Sequence, residues 1–254
     1  MKNIKAIALN TFRESIRDKI FYAVGFFAVI FAVILFFIST ASLGEETHVL
    51  RSLGLGGIYI FGIILTILLS SSLLSKEFEK KTVYFLFSRP VTSAEMVVGK
   101  FFGLFLTLLA ANILFSAVYL TMIWIGVSLF DIGAILALFL GLLEMAVFVS
   151  LMIFFSSVTR PSIAVIAGVT LLYLGHSSTL LLQTATKAGN GALQTFIQYF
   201  FYVFPNLEKF NIRNSIVYNL SLTPSELIFT VTYAIFLIIF FLALASVFLR
   251  KREL

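Results

Sequence analysis

The chain has 254 residues, 60% of them hydrophobic and only 12% charged, with 30 Phe and a formal net charge of +6. A soluble fold must give much of its surface to water and carries about twice that share of charge, so a soluble globular domain is excluded. The chain has no Cys, which excludes a disulfide framework, a thiolate metal site and a Cys nucleophile.

In chain order, residues 2–19 come first and precede any apolar run. Ile4, Ile7, Ala8, Phe12 and Ile16 recur at helical spacing, while Lys5, Asn10, Arg13, Glu14 and Arg17 lie off that stripe. The pattern predicts an amphipathic helix in the headgroup plane, its basic face toward anionic lipid, and is equally compatible with packing on a partner subunit. Six apolar runs follow, at about 20–40, 53–75, 101–124, 134–158, 162–182 and 224–249. Each is long enough to cross ~30 Å of hydrocarbon as a helix. Ser39-Thr40-Ala41-Ser42 offers small residues after the first run. That run is longer than a signal-peptide core and follows a charged segment, so it reads as a retained span.

The connections set the orientation. Lys2, Lys5, Arg13, Arg17, Lys19, Lys76, Lys80, Lys81, Arg89, Lys100, Arg160, Arg250, Lys251 and Arg252 fall on one side, 14 residues; Arg51, Lys187, Lys209 and Arg213 fall on the other, four. The basic side is predicted to be cytoplasmic, which puts both termini inside a multi-pass protein of the cell (inner) membrane. These Lys/Arg sit at the ends of apolar runs and are not interleaved with aromatics, so nucleic acid is not an expected partner; membrane lipid is. The third and fourth runs form a hairpin whose outer turn is marked by Asp131 and Gly133, with Trp124 near the outer interface.

The second and third runs are joined by SKEFEKKTVYFLFSRPVTSAEMVVGK, residues 75–100. Ser75 to Phe87 can prolong the preceding helix, Pro90 disfavours helix at Arg89, and Thr92-Ser93-Ala94-Glu95 spells a capping box that starts the next one. The product is a cytoplasmic helical elbow with Tyr84, Phe85 and Phe87 at its tip. A solvated loop that merely enforces topology is the plainer reading, but five consecutive apolar residues, Val83 to Phe87, need a cover. The cover is either the lipid interface or a partner protein.

Between the fifth and sixth runs, residues 183–222 include ALQTFIQYFFYVFPNLEKF, too short to span and too aromatic for a solvated loop. Interfacial or re-entrant helices closed off at Pro205 fit it best. Phe196, Tyr199, Phe200, Phe201, Tyr202 and Phe204 cannot all face one neighbour, so some are expected to face lipid or a pathway, with Pro205 as a pivot. Thr223-Pro224-Ser225-Glu226 then opens the sixth run with a helix-start signature.

Glu77, Glu79, Pro90, Thr92 to Glu95, Gly99 and Lys100, together with the amino-terminal ALNTFRE stretch (residues 8–14), six spans and Tyr202-Val203-Phe204-Pro205-Asn206-Leu207, resemble the ABC type-2 exporter permeases over the whole chain. The branch it is most similar to includes permeases linked to multi-copper enzyme maturation. The resemblance implies one transmembrane domain, 1–254, with all-α architecture: an interfacial helix at 2–19, six spans, a coupling helix in the 76–100 elbow, and gate helices in 183–222. It implies a transport subunit that is not itself an enzyme. It implies docking on a separate cytoplasmic ABC ATPase, for which Glu77, Glu79, Tyr84, Phe85, Phe87, Pro90 and Glu95 are the candidate residues. A second permease copy or homologue would complete the pathway, ATP and Mg would be bound by the ATPase alone, and an extracytoplasmic partner is compatible with it. Phe196, Tyr199, Phe200, Phe201, Tyr202 and Pro205 become the candidate outer gate.

The residues themselves point the same way. A phosphate-binding loop needs G-x-x-x-x-G-K-[ST], and Gly99-Lys100-Phe101 lacks the first Gly and the hydroxyl, so any ATP hydrolysis falls to another chain. Only His48 and His176 are present, without an H-E-x-x-H pattern, and no G-x-S-x-G occurs. Glu144 lies deep in the fourth run, where an unpaired carboxylate is expensive. It is either a functional group or a neutral acid hydrogen-bonded to Asn112 or Ser116 across the hairpin. Gly175-His176-Ser177-Ser178-Thr179 either lines a cavity or packs helices closely. Asn112, Ser116, Glu144 and His176 are thus the candidate pathway residues. The competing readings are a membrane-embedded enzyme acting on a lipid-like substrate through Glu144 or His176, and a non-catalytic membrane anchor.

Overall fold

The computed structural model describes residues 2–17, 19–41, 46–79, 91–127, 131–187, 191–218, 220 and 223–252. Every regular element among them is helical: α1 (Lys2–Arg17), α2 (Lys19–Ala41), α3 (Glu46–Glu79), α4 (Ser93–Val127), α5 (Ile132–Val158), α6 (Pro161–Lys187), α7 (Gly191–Val203), a 3-10 turn (Leu207–Phe210), α8 (Arg213–Val217) and α9 (Pro224–Arg252). Among the described residues, four helical stretches are long and apolar enough to cross a membrane: Thr47–Ser71, Ser93–Ile125, Ile132–Val158 and Pro224–Lys251. Val24–Ile38 and Ser162–Ser177 are shorter apolar stretches within α2 and α6.

The helices are apolar on faces that no neighbour covers. On α2, Val24, Ala28, Phe31 and Leu35 are buried at helical spacing, while Tyr22, Phe26, Val29, Val33, Phe36 and Phe37 are exposed. A helix that is apolar all round belongs in protein or hydrocarbon, not water. The chain is therefore a multi-pass membrane protein by architecture as well as by composition. The middle of the bundle is α5, on which every side chain from Glu144 to Ile153 is buried. It packs against α3, α4, α6 and α9, the last through Phe154, whose ring lies 6.0 Å from those of Phe241 and Phe248.

Two polar contacts mark the ends of the bundle. At the near end, the capping box forms as its sequence implies: the Glu95 amide donates to the Thr92 hydroxyl at 3.2 Å, and the Thr92 amide donates back to the Glu95 carboxylate at 3.1 Å. The same carboxylate accepts from the Asn3 side-chain amide at 3.3 Å, so the start of α4 is tied to α1. At the far end, Asp131 caps α5 by accepting from the Ala134 amide at 3.1 Å and pairs with the Arg51 guanidinium at 2.6 Å. Arg51 also donates to the Ile216 carbonyl at 3.4 Å, which draws α3, α5 and α8 together.

The main partner of α1 is α4 of the same chain. Its buried centre is Ala8, Thr11 and Ser15, flanked by the half-buried Ile4, Ile7, Phe12 and Ile16. The stripe read from the sequence is thus the covered face, Lys5, Asn10, Arg13, Glu14 and Arg17 are exposed, and the helix packs closely on its own chain. The reason is a small-x-x-x-small groove on α4: a Cβ at Gly99 would stand 2.7 Å from the Ile7 Cβ, and one at Gly103 would stand 2.7 Å from the Ala8 carbonyl oxygen. Small residues on both helices allow a backbone-to-backbone approach that large ones would prevent.

Candidate functional site

A cluster of polar side chains lies inside this apolar bundle, assembled from five elements. Glu144 stands twelve residues into α5, about 18 Å from its far end at a rise of ~1.5 Å per residue. Its side chain is 1% exposed. The Tyr59 hydroxyl, from α3, donates to Glu144 Oε1 at 2.7 Å. His176 Nε2, from α6, lies 2.7 Å from the same oxygen and 2.6 Å from the Tyr59 hydroxyl. His176 Nδ1 faces Glu208 Oε2, from the 3-10 turn, at 2.9 Å. Asn211 donates to the other Glu208 oxygen at 3.0 Å and accepts from Arg213 Nε at 2.8 Å. The Arg213 guanidinium, on α8, sits 3.6 Å above the centre of the Tyr59 ring, a cation–π contact that fixes both groups.

The turn that carries Glu208 reaches this depth because α6 leaves room for it. A Cβ at Gly175 would meet Leu207 at 2.8 Å and the Pro205 carbonyl oxygen at 3.0 Å, so glycine there admits the backbone of residues 205–207. Gly175 lies twelve residues before the end of α6, which places this contact about 18 Å below it. On the opposite side the Asn206 amide donates to the Tyr233 hydroxyl of α9 at 2.9 Å. Leu207 and Phe210 are buried, anchoring the turn between the helices. Of the two readings of residues 175–179, Gly175 serves close packing, while His176, one position on, turns toward the carboxylates.

The arrangement has a simple proton requirement. Each ring nitrogen of His176 faces a carboxylate oxygen, so each of the two bridges needs one proton. A neutral imidazole supplies one, and the other resides on the ring or on a carboxyl group. A cavity of about 20 Å³ adjoins Glu144, lined among others by Tyr59, Asn112, Gly141, Phe210 and Arg213. A space of ~10–15 Å³ or more holds one water where polar partners are present, so this one admits a water and not a substrate.

The sequence candidates meet this geometry unevenly. Glu144 and His176 come together. Asn112 lines the same cavity, but Ser116 donates to Asn112 at 3.2 Å within α4 instead of turning to Glu144. The hydrogen-bond partners of Glu144 are thus Tyr59 and His176 in place of the expected Asn112 or Ser116. Of the docking candidates, Glu95 is described, at the base of the elbow. Tyr84, Phe85, Phe87 and Pro90 lie outside the described residues, as do the side chains of Glu77 and Glu79 at the end of α3. In the gate segment Phe196 and Tyr199 are exposed and Pro205 is buried; the side chains of Phe200, Phe201 and Tyr202 lie outside the described set. Tyr59, Glu208 and Arg213 were not singled out by sequence. One signal pointed to the last two: charges inside a segment too aromatic to be solvated need buried partners, and Glu144 needed one as well.

The family model described as "ABC-2 family transporter protein" matches residues 5–254. No curated protein matches the chain.

Proposed function

Because the chain belongs to the ABC-2 transporter family, we propose that it is the permease subunit of an ATP-driven exporter, paired with a second permease and coupled to a separate cytoplasmic ATPase. One observation carries this reading: the family match runs through nearly the whole chain, and nowhere in that sequence is there a loop for nucleotide phosphates. ATP and Mg would then be held by the partner chain, and this chain would supply the path.

The 76–100 elbow is the proposed docking site. Its apolar run, Val83 to Phe87, needs a cover, and its base is fixed by the Thr92–Glu95 capping box and the Asn3 contact. A push on the elbow would thereby reach α4 and α1 together. Phe85→Asp and Phe87→Asp should abolish co-purification of the ATPase and ATP-dependent export while leaving membrane insertion intact. Undiminished recovery of the complex from both variants would rule out docking at this tip.

The proposed topology has six spans with the near end cytoplasmic, supported by the division of 14 Lys/Arg against four. The Cys-free sequence makes this easy to test. A single Cys at position 90 should react with a membrane-impermeant maleimide only after cells are opened, and labelling from outside intact cells would invert the model.

The outer gate is proposed for residues 191–210, where Phe196 and Tyr199 expose aromatic surface beside the buried Pro205. Cys at position 201 in both protomers should cross-link at rest and block export until reduced. Free export by the cross-linked protein would make the segment a static cap.

A further inference from the structure

The polar cluster is more than a tie between helices, because its two ends meet different surroundings. At the outer end, Glu208 lines a pocket of about 490 Å³ at the far end of the bundle, shared with Lys209, Ser215, Glu226 and Thr230. That volume holds many waters. Its side chain is 32% exposed, and its other face is the 2.9 Å contact with His176 Nδ1. At the inner end, Glu144 is 1% exposed and touches the water-sized cavity. A titratable chain therefore runs unbroken from a wet pocket to the middle of α5: Glu208, His176, Glu144, with bridges of 2.9 and 2.7 Å.

The geometry points to a proton relay by which Glu144, in the centre of the bundle, exchanges a proton with the water at the far end. Membrane-embedded Asp, Glu and His chains of this kind are the usual carriers of protons through apolar surroundings. Transfer begins with the proton on Glu208, the imidazole in its Nε2–H form and Glu144 as carboxylate. The Glu208 O–H bond breaks as Nδ1–H forms, and Nε2–H breaks as O–H forms on Glu144. Glu208 ends as carboxylate, the imidazole as its Nδ1–H tautomer and Glu144 as a neutral acid. One positive charge has moved inward, no oxidant or cofactor is consumed, and the reverse transfer resets the ring.

The charged and titratable neighbours fit such a step. Glu144 is faced by Tyr59 from α3, His176 from α6 and Arg213 from α8, while α4 contributes the neutral Asn112. Lys209 shares the outer pocket with Glu208, and its ammonium lies 4.3 Å from the Phe229 ring centre. Glu226 is engaged with the Thr223 amide at 3.3 Å. Arg213 is held by Tyr59 and Asn211, so it balances charge without bridging either proton path. The relay does not depend on which ATPase drives the chain, or on whether one does.

The test uses the full-length chain in lipid nanodiscs, with a light-released proton source and time-resolved infrared detection of protonated carboxyl groups. Glu144→Gln identifies the Glu144 carbonyl band by removing it. His176→Gln and Glu208→Gln should slow its appearance by roughly 100-fold or more, the scale on which a positioned proton donor matters. Glu208→Asp should restore much of the rate, and thermal midpoints of the variants, measured alongside, separate slowed transfer from unfolding. Equal rates in the folded parent and Glu208→Gln would overturn the relay. So would a parent protein in which no band sensitive to Glu144→Gln appears on acidification, since the cluster would then be a fixed tie.

Discussion

Gly103→Ala should lift α1 off α4 and destabilise the protein, although alanine is the better helix former. The added Cβ would stand 2.5 Å from the Thr11 Cβ and 2.7 Å from the Ala8 carbonyl oxygen, and the second of these is backbone. No rotamer change relieves a backbone clash, so the helices must separate. Overpacking of this kind costs about 1–3 kcal/mol, more than the ~1 kcal/mol that alanine gains over glycine in a helix. Separation would also strain the Asn3–Glu95 contact and expose Thr11 and Ser15, which are buried in the parent. A Cys at position 11 should accordingly be protected in the parent and label quickly in the Gly103→Ala background. Gly56→Ala and Gly141→Ala are the controls: a Cβ at either position meets nothing within 4 Å, so both should be neutral or slightly stabilising. Retained protection of position 11 in Gly103→Ala would mean that α1 is held by something other than this groove.

Asp131→Ala should be among the most damaging single changes at the far end. Asp131 is 4% exposed and does two jobs, capping α5 and neutralising Arg51, which is 14% exposed. Removing the carboxylate of a buried pair takes away the guanidinium's 2.6 Å counter-charge, a loss that costs up to about 3–5 kcal/mol. Loss of the cap adds ~1 kcal/mol. Asp131→Asn separates the two, since it keeps a capping oxygen and removes only the charge. The double variant Arg51→Met/Asp131→Asn should be more stable than Asp131→Asn alone, because it removes a largely buried cation that has lost the Asp131 carboxylate. Thermal midpoints in detergent would show this order. If the double variant is the less stable, the guanidinium acts mainly through its bond to the Ile216 carbonyl and its other contacts, not through the ion pair.

What could be read from sequence and what could not divides by distance along the chain. The Thr92–Glu95 capping box and the Glu226 contact with the Thr223 amide are signals spanning three residues, and both form. Among the described residues, four of the six apolar runs lie in helices long and apolar enough to span, and the runs at 20–40 and 162–182 hold shorter apolar stretches. Beyond the apolar runs the local signals hold: α3 continues to Glu79, as the Ser75–Phe87 stretch allows, and α4 begins at Ser93, directly after the Thr92 cap. The covered face of α1 is legible in its stripe, but periodicity does not show that glycines 99 and 103 make a groove for it on α4. The polar cluster was half legible. Glu144 and His176 stood out as polar groups in apolar runs, but their contact joins residues 32 apart, and Tyr59 is 85 residues from Glu144. Matching depth across a hairpin offered Asn112 and Ser116 instead. Only the packing of α6 beside α5 brings a base to that acid.

In the function we propose, this chain provides a path and another chain provides the energy. ATP hydrolysis by the complex isolated through this chain from its own membrane, in gentle detergent and with Mg present, tests it most directly. A separate polypeptide with a phosphate-binding loop should be recovered with it, the preparation should hydrolyse ATP, and both should be lost when the isolating chain carries Phe85→Asp. A parent preparation that carries no ATP-hydrolysing partner, from membranes in which export is running, would contradict it.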